Sequence, residues 1–165
     1  MVRNDDPAAV NGVVARATGT GLFQTRIAVR ETVFLTDEPV AVGGEGSGPT
    51  PYELLSAALA ACTSMTLRLY AKRKGWELPA FSVEVAHEIV PGGRPRDRLN
   101  RQITFEGPLP PAAREKLLEI ADKCPVHRTL VGGFEVRSYV GQPEVHPAGD
   151  PVVRHEQEME RACDD

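Results

Sequence analysis

The sequence predicts an α+β protein in which antiparallel strands accompany two buried helices. Three observations carry that reading: strand-like alternation over residues 12–36 and again from residue 81, a small and apolar helical stretch from residue 51, and a second helical stripe that runs into Cys124. The element order they give is β-β-β-α-β-β-α-β.

Residues 12–36 read as two or three antiparallel strands. "GVVARATGTG" ends in a glycine-rich turn, "LFQTRIAV" follows, and "ETVFLTDEP" closes the segment. Residues 43–49, "GGEGSGP", suit neither helix nor strand and are expected to form a flexible loop. The first helix has a clear start, with Thr50 as N-cap, Pro51 at N1 and Glu53 placed to close a capping box. It should run to about Lys74 and stop at Gly75. Leu55, Leu59, Cys62, Thr66 and Leu69 share one stripe, so Cys62 faces inward.

A strand, "FSVEVAHEIV", puts Phe81, Val83, Val85 and His87 on one face, and a polar hairpin leads to its partner "RQITFEG". The second helix begins near Pro110 and Pro111, with Leu117, Ile120, Ala121 and Cys124 on its stripe. Pro125 follows at once, so Cys124 sits at a helix end or a kink. "FEVRSYV" reads as a last strand. The organisation is an N-terminal extension over residues 1–12, one folded region over 13–140, and a polar acidic tail over 141–165. In the tail Val152, Met159 and Cys163 are roughly aligned as a short helix.

A net charge of −4 argues against a dedicated nucleic-acid binder, since neutralising phosphates takes a basic surface. The cluster Arg68, Lys72, Arg73 and Lys74 is expected to be a solvated helix end, where cations suit the macrodipole. Residues 1–12 hold two aspartates and no apolar run, unlike an export signal. The apolar run from Leu54 to Leu67 falls short of the ~20 residues that span a bilayer. Together these predict a cytoplasmic protein without membrane or nucleic-acid partners.

Three cysteines form no even-numbered disulfide framework. Cys62 and Cys124, each on an inward stripe, admit three readings. They are small core hydrophobes, or metal ligands in which Cys124-Pro125-Val126-His127 supplies a C-x-x-H pair, or a redox pair in which one thiolate is oxidised to a sulfenic acid that the other condenses with. His127 could serve as a base or as a local cap. His87 reads as a satisfied core histidine, and Cys163 as an exposed thiol in a mobile tail.

"GPTPYELLSAALAACTSMTLRLYAKRKGW" together with "LEIADKCPVHRTL" resembles the OsmC/Ohr family of bacterial thiol peroxidases over residues 13–140. The two motifs, a Pro-x-Glu-Leu helix leading to Ala-Ala-Cys and a distal Cys-Pro, are specific when found together in this order. The resemblance implies antiparallel sheets wrapped around two central helices in an intertwined homodimer. It also implies reduction of organic hydroperoxides in oxidative-stress defence, with Cys62 as the peroxidatic thiol and Cys124 as the resolving one. No metal or organic cofactor is implied, and the reductant would be a dithiol such as a dihydrolipoyl group on a carrier protein.

The sequence departs from the peroxidase branch at two places. Tyr52 occupies the position of the activating glutamate, and the neighbouring Glu53 is engaged as a helix cap. After "ATGTGLF" no arginine occurs until Arg26, which leaves Arg30, Arg128 or an arginine of the partner subunit as substitutes and Tyr52, Glu53 and His127 as further candidates for activating Cys62. In these respects the chain resembles a less characterised OsmC-like branch that keeps both cysteines and the Tyr-Glu pair. An alternative follows: a small-ligand binding or redox-sensing module, its pocket lined by leucines and Met65, with little or no peroxidase turnover.

Overall fold

The computed structural model describes residues 12–141 and 151–164, which divide after Leu55 into two compact units. Residues 1–11 of the expected extension and 142–150 of the expected tail lie outside the described residues, as do the side chains of 151–153.

In the first unit the alternating segments form β1 (Val13–Ala17), β2 (Thr25–Val29) and β3 (Thr32–Thr36), an antiparallel meander in the order β1-β2-β3. Its register pairs Ala15 with Ile27 and Ile27 with Phe34. Arg30 turns the chain between β2 and β3 with φ 50°, a left-handed conformation uncommon outside glycine. The following glycine-rich loop is not the flexible segment its composition predicts. It closes on the Asp37 carboxylate, which accepts hydrogen bonds from the N–H groups of Glu38 at 2.9 Å, Glu45 at 3.1 Å and Ser47 at 3.3 Å, and from the Ser47 hydroxyl at 2.8 Å. A Cβ at Gly44 would collide with the Glu38 carbonyl and one at Gly48 with that of Leu35, so the glycines serve close packing.

Helix α1 spans Pro51–Lys74, as its caps predict. Thr50 N–H donates to Glu53 Oε2 at 2.7 Å and Glu53 N–H to Thr50 Oγ1 at 3.3 Å, which is the capping box. At the other end Trp76 N–H donates to the Ala71 carbonyl at 2.8 Å and Gly75 N–H to that of Lys72 at 3.3 Å, with Gly75 at φ 66°, a Schellman motif. By length and composition α1 could cross a bilayer, which the interrupted run from Leu54 to Leu67 does not predict. Yet Thr63, Thr66 and Tyr70 lie on its buried face, as the core helix of a globular unit requires. Leu55, expected on the inward stripe, is exposed; the buried face runs through Leu59, Cys62, Thr63, Thr66, Leu67, Tyr70 and Ala71.

The second unit contains the β4 (Phe81–Ile89) and β5 (Asp97–Phe105) hairpin, with Val83 opposite Ile103 and Val85 opposite Arg101. Helices α2 (Pro111–Asp122), α3 (Pro125–Gly132) and α4 (Pro151–Ala162) complete it. Leu67 and Tyr70 of α1, Leu117, Ile120 and Ala121 of α2, and Cys163 after α4 make one core cluster, flanked by Phe81, Ile103 and Phe105 of the hairpin.

Three expectations are corrected here. "FEVRSYV" forms no strand, and Phe134, Val136, Tyr139 and Val140 are exposed, because no neighbouring edge among the described residues pairs with it. Cys163 is buried, carried into the core by the tail helix rather than exposed on a mobile tail. The basic end of α1 is not merely solvated: Arg73 holds α4, donating to the Glu160 carbonyl at 2.9 Å and pairing with the carboxylates of Glu160 at 3.2 Å and Asp164 at 3.1 Å.

Candidate functional site

Two helices bring the thiols together. Cys62 lies mid-way along α1, where the inward stripe dictates its direction. Cys124 is fixed by the chain break that Pro125 imposes: α2 stops at Asp122, and Pro125 starts α3 at the N1 position where its missing N–H costs nothing. Cys124 therefore stands at the N-terminus of α3, with its Sγ 2.9 Å from Cys62 Sγ. Both are free thiols, buried among Leu59, Val85, Leu99, Val126 and Leu130. The packing reading and the pairing reading thus describe one arrangement, in which an apolar shell surrounds two sulfurs in direct contact.

Electrostatics divides the pair unequally. The hydrogen bond shared with Cys62 lowers Cys124 from its ordinary value to about 6, against desolvation that would raise it. The N–H groups of His127 and Val126 at the start of α3 and the Thr63 hydroxyl add to the lowering, as a helix N-terminus does for a thiolate. The same shared proton raises Cys62 well above the usual thiol range, and burial raises it further. Two sulfurs this close carry one negative charge between them, and the hydrogen bonds at the start of α3 favour it on Cys124.

An arginine joins this network from the strand. Arg101 Nη1 donates to Thr63 Oγ1 at 3.1 Å and to the Ala121 carbonyl at 2.9 Å, while Nη2 pairs with Asp122 at 2.6 Å. With its oxygen occupied as acceptor, the Thr63 hydroxyl is turned toward Cys124 Sγ, 4.0 Å away. His155 Nε2 of α4 lies 3.4 Å from Cys62 Sγ.

The residues singled out in the sequence are placed as follows. Glu53 is committed to the helix cap, and Tyr52 and Arg30 belong with it to the first unit. Arg128 is exposed on α3. The His127 imidazole faces Asp122 at 3.8 Å, so this residue acts on Cys124 through its backbone N–H. Among the described residues no three His, Cys, Asp or Glu side chains converge as a metal site. His87 pairs with Asp97 at 2.8 Å, as a satisfied strand histidine.

Arg101 and His155 were not anticipated, though each has a signal. The period-two pattern Leu99, Arg101, Ile103, Phe105 puts an arginine on the apolar face of β5. His155, Met159 and Cys163 recur every four residues along one face of the tail helix.

Antiparallel sheets, packed helices and a contacting thiol pair define an α+β dithiol protein. Residues 44–138 match the OsmC-like protein family, and the chain belongs to it. Its fold is similar to that of an OsmC-like protein from Mycoplasma pneumoniae, at 19% identity over 73% of this chain and 86% of that one, with a TM-score of 0.57. It is also similar to the organic hydroperoxide resistance protein OsmC from Legionella pneumophila, at 23% identity over 71% and 87% of the two chains and a TM-score of 0.51. A third likeness is to an organic hydroperoxide resistance protein from Elizabethkingia anophelis with thiocyanate bound, at 20% identity over 71% and 84% and a TM-score of 0.55. No curated protein sequence matches the chain.

Proposed function

We propose that the protein is a cysteine-based thiol peroxidase that reduces organic hydroperoxides in oxidative-stress defence. The observation that carries this reading is the 2.9 Å separation of two buried free thiols from helices far apart in sequence. A sulfenic acid formed on Cys62 would already be within reach of Cys124, and the condensation needs only a short movement to disulfide geometry. Cys62 Sγ attacks the terminal peroxide oxygen, the O–O bond breaks and an alcohol leaves. The Cys124 sulfur then displaces water to give the disulfide, and an external dithiol, such as a lipoyl group on a carrier protein, restores both thiols. The apolar shell around the sulfurs favours an apolar peroxide over a hydrated one.

A homodimer is part of the proposal, supported by the unpaired, exposed segment 134–140 and by Met65 exposed on α1. A cytoplasmic location suits three free thiols.

Incubation of reduced protein with cumene hydroperoxide should consume two thiols per chain, and none in Cys62→Ser. Unchanged thiols would sink the proposal. A dihydrolipoamide system tests sustained turnover. Stoichiometric oxidation without turnover would favour a redox-sensing or small-ligand binding module, a second reading favoured by the engagement of Glu53 in the helix cap.

A further inference from the structure

We propose that His155, on a helix beyond the family-matched residues, is the proton acceptor for the thiol pair and directs its negative charge onto Cys62. The inference deepens the peroxidase reading and rests on it for the chemical step, while the charge placement stands on geometry alone.

The N-terminus of α3 and the Thr63 hydroxyl both favour the charge on Cys124. That is the wrong sulfur for the proposed reaction, in which Cys62 is the attacking thiol and Cys124 the resolving one. Glu53 is hydrogen-bonded to the Thr50 N–H at the start of α1, and the Arg101 guanidinium approaches Cys124 through Thr63. The His155 imidazole addresses Cys62 directly, with Nε2 3.4 Å from Sγ.

The position of His155 is built. The far end of α4 is fixed by the Arg73 clamp on Glu160 and Asp164, and by Ala162 and Cys163, both buried. Counting back from Cys163 by two steps of four reaches His155 on the same inward face. The family match ends at residue 138 and α4 starts at Pro151, so this base comes from outside the matched residues. His155 is itself only partly buried, which leaves it in proton exchange with water.

The proton balance closes within the site. His155 takes the proton that the pair releases, and the imidazolium draws the charge onto Cys62 while the proton between the sulfurs passes to Cys124. Cys62 thiolate attacks the peroxide: an S–O bond forms, the O–O bond breaks, and sulfur gives up two electrons. The imidazolium proton goes to the leaving alkoxide to form the alcohol. Cys124 thiol and Cys62 sulfenic acid then condense to a disulfide and one water.

The test is limited alkylation of the full chain with iodoacetamide at neutral pH, each cysteine followed by peptide mass spectrometry, in wild type, His155→Gln, Cys124→Ser and the double variant. The expected result is labelling first at Cys62 in wild type. In His155→Gln, Cys62 should label about tenfold or more slowly, with label moving to Cys124; the double variant should show the same loss against Cys124→Ser. Cys163 reports whether α4 stays docked: a purely structural histidine would make Cys163 and Cys62 both label faster on substitution. That outcome, or unchanged rate and site at Cys62, overturns the proposal. Hydroperoxide turnover by wild type is measured separately, so a protein without turnover whose Cys62 still depends on His155 refutes the peroxidase reading alone.

Discussion

Cys124 Sγ meets Cys62 Sγ at 2.9 Å because a proline, not a turn sequence, divides the distal helix. Pro125 forbids a helical conformation at Cys124, whose ψ of 133° is extended, and restarts the helix one residue later. The thiol is thereby aimed at α1 and also set at a helix N-terminus, so one backbone device supplies both proximity and electrostatics.

Removal of Cys62 should therefore change the acidity of Cys124. The hydrogen bond shared with Cys62 is the largest contribution holding Cys124 down at about 6. In Cys62→Ala the thiolate absorbance of Cys124 should appear at higher pH than the first thiolate of the pair does in wild type, followed at 240 nm with the Cys163 signal subtracted through Cys163→Ala. A titration that does not move would show that the α3 N-terminus alone sets the value.

Global stability should depend on pH through the pair. Cys124 is depressed in the folded state, so its contribution is present above the unfolded value near 9 and is lost as pH falls through about 6. The second proton of the pair is held at a raised value, so its contribution is present below the unfolded value and is lost as pH rises above it. Stability should climb from pH 6 towards 9 and decline beyond, with a slope of at most about 1.4 kcal/mol per pH unit for one proton. Urea unfolding across this range, compared with Cys62→Ala/Cys124→Ala, isolates the effect; identical profiles would remove it.

The parts of this fold written in local rules were legible in the sequence. Thr50, Pro51, Glu53 and Gly75 bound α1 through backbone hydrogen bonds made within a few residues of each other, and the structure keeps both ends as read. Both thiols of the pair were found through inward stripes and family motifs. The network around them was not legible, since Arg101 and His155 reach the site from β5 and α4, and periodicity fixes a face without saying what lies opposite. The expected strand 134–140 fails for a related reason: alternation gives strand propensity, but a strand needs an edge to pair with. The closed form of the glycine-rich loop is not legible either, because composition alone cannot distinguish a glycine that frees the chain from one that admits a carbonyl.

Asp37 should act as an acid-labile clasp in the first unit. Burial opposes its charge, but hydrogen bonds from the Ser47 hydroxyl and from the N–H groups of Glu38, Ser47 and Glu45 outweigh that and lower its carboxyl. Its contribution is thus present above the ordinary carboxylate range and is lost as pH falls through the lowered value. Asp37→Asn should reduce thermal stability at pH 7 and flatten the acid limb, measured by circular dichroism from pH 7 to 3. An acid limb as steep as that of wild type would show that other carboxylates dominate it.

Arg101 should matter for stability and for the acidity of Cys124 together. Its guanidinium binds Thr63, the Ala121 carbonyl and Asp122, joining β5 to α1 and to the end of α2, and its side chain is 12% exposed. Arg101→Met keeps the aliphatic stem but leaves Thr63 Oγ1 and the Ala121 carbonyl without this donor, at a cost of about 2 kcal/mol for charged hydrogen bonds of this kind. Lysine cannot reproduce a fork that reaches three acceptors, so Arg101→Lys should recover only part of the loss. Without the guanidinium the Thr63 hydroxyl loses its fixed orientation toward Cys124, and the thiolate titration of Cys124 should shift upward. Urea unfolding gives the first quantity and absorbance at 240 nm the second. A destabilised Arg101→Met protein with an unshifted Cys124 would reduce the arginine to a structural tie between strand and helices.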